Sequence, residues 1–141
     1  MSATSRTQMP GFVKLIAICI PLILSQIVIA DSREENLRAG LAAMERQHYA
    51  TAMRAWSDLA EAGDPEAQHN IGYMYEEGLG VTQQYDVAME WYRRAAEGGL
   101  AEAEHNLGMM YVDGRGVAKS WAQGLIYFRR RLRRVSLRVV T

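Results

Sequence analysis

The sequence predicts an all-α protein, a short solenoid of about two and a half helix-pair repeats behind an N-terminal address segment. Three observations carry this reading. Residues from Ala67 onward recur after 36 positions, apolar residues fall at helical spacing between glycine stops, and no stretch alternates apolar and polar side chains as a strand would. In the recurrence Asn70 matches Asn106, Gly72 matches Gly108, Tyr75 matches Tyr111 and Gly78 matches Gly114. Gly80 then matches Gly116, Val81 matches Val117, Tyr85 matches Trp121, and Trp91-Tyr92 matches Tyr127-Phe128. A period of this size marks stacked units, none of which buries its apolar face alone.

The elements follow in order. Ser32-Arg33-Glu34-Glu35 has the form of a capping box, so a first helix is expected from there to about Arg46, with Leu37, Leu41 and Met44 on one stripe. Gln47-His48 is a short turn. The second helix spans Tyr49 to about Glu61 and stops at Gly63, which accepts the left-handed conformation. Asp64 caps the third, with Pro65 at its first position, where a missing N–H costs nothing. That helix ends at Gly78, and Gly78-Leu79-Gly80 turns the chain into a fourth helix over about Gln83 to Glu97. The next unit repeats the order, with Ser120 and Gln123 as a further capping pair. Gly72 and Gly108 lie inside helices, where glycine costs about 1 kcal/mol against alanine. The same unfavourable residue at one repeat position implies a close helix–helix approach.

Residues 1–30 read as an address. Arg6 and Lys14 precede an uncharged run from Leu15 to Ala30, and Val28 and Ala30 stand three and one positions before Asp31, as signal peptidase requires. The expectation is a cleaved signal peptide and an exported protein, periplasmic or secreted. The alternative is an uncleaved membrane anchor over residues 12–30, barely long enough to span and weakened by Pro21 and Gln26. The single cysteine, Cys19, rules out an intramolecular disulfide.

The strings A-x-x-N-I-G-x-x-Y-x-x-G-x-G-V, Ala67 to Val81, and Y-D-x-A-x-x-W-Y-x-x-A-A-x-x-G, Tyr85 to Gly99, closely resemble the Sel1-like repeat. The resemblance implies the tetratricopeptide-like fold, a right-handed superhelix of helix pairs, and the work of an adaptor or exported interaction module. It implies no catalytic residue. On it the chain divides into a degenerate opening repeat (31–66), a full repeat (67–102), a partial repeat (103–128) and an arginine-rich tail (129–141). The last unit departs from the pattern. Arg131-Leu132 stands where Ala95-Ala96 predicts small residues, and no glycine closes it. Marginal stability or dependence on a partner follows, self-association at the uncapped end included. A disrupted or truncated reading frame would leave the same end.

Charge is balanced, 16 acidic against 16 basic residues, but segregated: every acid lies between Asp31 and Asp113, and the seven basic residues from Lys119 onward have no acidic neighbour. The tail stripe Leu125, Phe128, Leu132, Val135 and Val139 is flanked by Arg129, Arg130, Arg131, Arg133, Arg134 and Arg138. Those arginines suit an anionic lipid surface, an acidic partner or the chain's own acidic body. Nucleic acid is disfavoured for an exported chain. If the first helix of each pair lines a concave face, His69, Asn70, Tyr73, His105, Asn106 and Met109 are the candidate contacts for a protein or peptide. Asn70 and Asn106 have the alternative of bonding the loop backbone of their own units. His69 and His105 are placed to meet across adjacent helices, but two histidines without further ligands make no metal site. Glu76, Glu77 and Asp113 read as solvated carboxylates at helix ends. The glycine loops follow helices and lack the lysine and hydroxyl of a phosphate cradle. No nucleophile, base and oxyanion set suggests an enzyme, and no cofactor is implied. The function read from sequence is an exported protein-binding scaffold, with attachment to the envelope through the tail as the second reading.

Overall fold

The computed structural model describes residues 11–139, with side chains from residue 19 onward. The described residues form six α-helices: α1 (Gly11–Glu45), α2 (Tyr49–Glu61), α3 (Pro65–Glu77), α4 (Tyr85–Glu97), α5 (Ala101–Asp113) and α6 (Trp121–Val139). They include no strand, as the pattern predicts. Two compact units divide between Glu35 and Asn36.

In the first unit the capping box at Ser32 does not form. Ser32 lies within α1, and its hydroxyl donates to the Ile29 carbonyl at 2.9 Å, as Ser25 does to Leu22 at 2.8 Å. The reason is local. Between Pro21 and Ser32 no glycine or proline interrupts the helix, so Ser32 has no free N-terminus to cap. Ile20, Leu24, Ile27 and Ile29 are all exposed. Among the described residues no helix is long and apolar enough to cross a membrane. Arg6, which heads the expected signal segment, lies outside the described residues, and the 12–30 stretch starts before the described side chains.

The second unit is the helical stack. Successive helices from α2 to α6 pack against one another in chain order. The predicted stops and starts hold the joints. Asp64 Oδ1 accepts from the Ala67 N–H at 2.9 Å with Pro65 at the first helical position, and α3 and α5 end at left-handed Gly78 (φ 69°) and Gly114 (φ 74°). Ser120 caps α6 by accepting from the Gln123 N–H at 3.2 Å. The two glycine loops are pinned alike: Gln84 N–H donates to the Tyr75 carbonyl at 3.0 Å, and Ser120 N–H to the Tyr111 carbonyl at 2.7 Å.

Within each pair, one glycine in the first helix receives one aromatic ring from the second. Gly72 lies under Tyr92, Gly108 under Phe128, and Gly40 under Trp56. A Cβ at Gly72 would come within 2.9 Å of two Tyr92 ring carbons. Trp56 and Tyr92 are fully buried, and each such ring contributes roughly 2–3 kcal/mol by burial. Trp56 also donates its indole N–H to the Leu37 carbonyl at 3.3 Å. Between pairs, Ala67, Ile71 and Met74 join one core with Ala52 and Trp56, while Leu107 and Met110 join the next with Met89 and Tyr92.

Alanine at Gly72 therefore reverses the usual sign. An exposed helical glycine gains about 1 kcal/mol on replacement; Gly72→Ala is expected to lose about 1–3 kcal/mol, because the buried Tyr92 ring has nowhere to go. Urea midpoints of the two proteins check this, and a higher midpoint in the variant would contradict it.

Candidate functional site

A cavity of about 450 Å³ in the second unit forms a groove between α4 and α6 with α5 as its floor. Arg93, Ala96 and Glu97 form one wall, Glu104 and Leu107 the floor, and Tyr127, Arg130, Arg133, Arg134 and Leu137 the other wall. The depth follows from a missing stop. Helix α4 ends before Gly98-Gly99, whereas α6, which starts one period later, runs on for 19 − 13 = 6 more residues. Nothing in Arg133-Arg134-Val135 breaks a helix, and the added turns supply Arg134 and Leu137.

One contact ties that extension to the floor. In the preceding pair Gln68 donates its amide to the Ala60 carbonyl at 3.0 Å. One period on, Glu104 has no proton to offer Ala96. Arg134 bridges the two instead, its Nε donating to Glu104 Oε1 at 2.8 Å and its Nη2 to the Ala96 carbonyl at 3.1 Å. Glu104 is 2% exposed, so the guanidinium also offsets a buried carboxylate. The second oxygen, Oε2, is buried with no hydrogen-bond partner. Arg93 is held in its charged form, its pKa raised chiefly by hydrogen bonding to Tyr111, and Arg130 lies 5.5 Å over the Tyr127 ring. Four guanidinium groups against the carboxylates of Glu97 and Glu104 leave the groove at 4 − 2 = +2.

Of the arginines predicted to meet an anion, Arg130, Arg133 and Arg134 line this groove, while Arg129, Arg131 and Arg138 do not. None of the six predicted first-helix contacts lines it. His69 meets the helix that carries His105 through Asn106. It lies 3.1 Å from the Asn106 amide, which donates to Nε2, and its ring packs on Tyr92 at 5.3 Å. Asn106 thus bonds the neighbouring helix rather than its own loop. Burial lowers the His69 pKa, opposed by its hydrogen bond to Asn70 and the charges of Glu102 and Glu76. His105 packs on Phe128 at 5.7 Å, Met109 is half-buried, and Tyr73 is exposed. Among the described residues no group of three or more His, Cys, Asp or Glu side chains could hold a metal ion.

Glu76 is not the solvated carboxylate that its helix-end position suggests. It is 7% exposed, accepts from the Tyr92 hydroxyl at 2.6 Å, and pairs with the Arg115 guanidinium, which also reaches Asp113 at 3.1 Å. Burial and this carboxylate push the Tyr92 phenol far above its ordinary pKa. The signal is present in the repeat itself. One period later Glu76 becomes Val112 and Tyr92 becomes Phe128, so acid and hydroxyl disappear together.

The Sel1 repeat model matches residues 65–100 and 101–130. Among solved structures, a Sel1 repeat protein from Oxalobacter formigenes is 34% identical over 67% of this chain, with a TM-score of 0.63. A protective antigen present in uropathogenic Escherichia coli strains and displaying an SLR fold is 32% identical over 78% of the chain, with a TM-score of 0.67. The chain spans 39% and 24% of their respective lengths. Comparison with curated proteins gave no match. The pairs α3–α4 and α5–α6 are Sel1 repeats, and the chain is a Sel1-like helical-repeat protein.

Two outcomes test the contacts. Arg134→Ala is expected to cost about 1–2 kcal/mol, a value reduced by the exposure of the arginine. Adding Glu104→Gln should recover most of it, since the amide can donate to Ala96 as Gln68 does to Ala60; a double mutant no more stable than the single contradicts the assignment. For His69, the fold resists a proton that the unfolded chain accepts near its ordinary pKa of 6.5. This residue's contribution is constant above that value and falls as pH drops through the window beneath it, down to the lowered folded pKa. Thermal melts across that window should flatten in His69→Gln relative to the parent chain.

Proposed function

We propose that this repeat protein is an interaction scaffold that holds an acidic protein segment in the groove between α4 and α6. Sel1 repeat proteins generally act as protein–protein interaction scaffolds, and the fold is typically non-enzymatic. The observation that carries the more specific reading is the groove's net charge of +2, with Arg130 and Arg133 exposed on its wall. Arg130 and Arg133 suit carboxylate side chains, because guanidinium bonds them in a bidentate way. Tyr73 and Met109 serve as contacts on the first-helix face, outside the groove. The setting we propose is exported, periplasmic or secreted, with residues 1–30 as the signal segment; the support is the uncharged run and the Val28 and Ala30 spacing.

The second reading, peripheral attachment to anionic lipid, draws on Arg129 and Arg131, which are exposed and lie outside the groove. A fluorescent hexaglutamate peptide and anionic vesicles separate the two. The full chain should bind the peptide, more weakly as salt rises, and Arg130→Glu with Arg133→Glu should weaken it by at least about tenfold, near 1.4 kcal/mol. Equal binding of a hexaglutamine peptide overturns the groove assignment. Vesicle binding that depends on Arg129 and Arg131 without peptide binding supports the peripheral reading.

A further inference from the structure

Helices α2 and α4 each receive the unit that follows them. Their first residues, Tyr49 and Tyr85, lie under Gly80 and Gly116 of the next glycine loop, and a Cβ on Gly116 would come within 2.8 Å of Tyr85 Cβ. Farther along α4, Met89 is 1% exposed and Ala96 7% exposed. One period later the same places on α6 are held by Trp121, Leu125 and Leu132. These are 68%, 57% and 65% exposed. Trp121, Ala122, Leu125 and Phe128 enclose an apolar hollow of about 300 Å³. The surface that joins one pair to the next is built again on α6, and among the described residues of the second unit nothing covers it.

We infer that the outer face of α6 docks the first helix and glycine loop of a Sel1-like unit carried by a different chain. Three observations select that occupant. The face continues the α4–α5 interface in register, so a helix with apolar residues spaced like Ala103, Leu107 and Met110 fits it, followed by a glycine over Trp121. Charge agrees. First helices start with acids, Glu66 in α3 and Glu102 and Glu104 in α5, and a helix antiparallel to α6 would bring its start to the arginine-rich half. A second copy of this chain fits poorly. Its α3 and α5 are already covered by α2 and α4, its opening pair has Gln47-His48 in place of a glycine loop, and two α6 helices would set arginines against arginines.

The test uses the full chain and two synthetic peptides, residues 100–118 and 64–82, each a first helix with its glycine loop. Covering Trp121 should shift tryptophan emission to the blue in a saturable way, and Trp121→Phe should abolish the shift. Leu125→Asp in the chain, or Gly116→Val in the first peptide, should weaken binding by about tenfold or more. Leu125 is exposed, so circular dichroism should show that variant folded. No saturable shift with either peptide overturns the inference, as does binding unchanged by both substitutions. A concentration-dependent blue shift of the chain alone, with dimers in sedimentation, overturns it in favour of a second copy.

Discussion

The packing of a ring onto a bare helical backbone is the constraint on which the stack depends. Gly40, Gly72 and Gly108 let Trp56, Tyr92 and Phe128 lie against the first helix of each pair, at a distance no side chain would permit. That contact sets the spacing within a pair. The small residues Ala67, Ala88 and Ala103, all fully buried, then let neighbouring pairs meet at similar range. The glycine loops complete the order by fixing where the next pair begins. Backbone stops alone would give helices of the right length. They would not give them a shared register.

On this uniform frame the polar contacts are individual. Glu76, Tyr92 and Arg115 join α3, α4 and the glycine loop after α5, and one period later Val112 and Phe128 stand in place of the acid and the phenol. Glu104, Arg134 and Ala96 join α5, α6 and the end of α4, where the earlier pair uses Gln68 alone. Buried polar groups need specific partners, so each such set discriminates one position in the stack from the next. The groove arises from the same divergence. Its charge and depth come from a helix that runs past the usual stop.

Much of this fold is legible in the sequence because glycine, proline and aromatic residues act through local geometry. Asp64-Pro65, Gly78 and Gly114 each have one good structural use, and they take it. Gly40 escapes the pattern because the Gln47-His48 turn is shorter than a glycine loop. Gly40 precedes Trp56 by 16 residues, where Gly72 precedes Tyr92 by 20. Glu76 is legible only as half of a pair, since its partner lies 16 residues away on another helix. The contact of Arg134 with Glu104 depends on how far α6 continues, which charge segregation suggests only as an acidic body meeting a basic tail. The bond between His69 and Asn106 is likewise hidden, because it depends on how near adjacent first helices stand.

The loop glycine and the aromatic it covers have a consequence for how such chains change length over descent. Tyr85 supplies a surface for the unit after it, and Gly80 covers the surface of the unit before it, within one 36-residue period. A duplication of that period therefore carries both halves of a working joint, and the lengthened chain needs no compensating change at either seam. The Glu76–Arg115 pair lacks this property: its partners stand 39 residues apart, and Leu79 holds the place of Arg115 one period earlier, so a copied unit would leave one Glu76 without its guanidinium. Arrays of this kind gain or lose units most readily where their joints are generic.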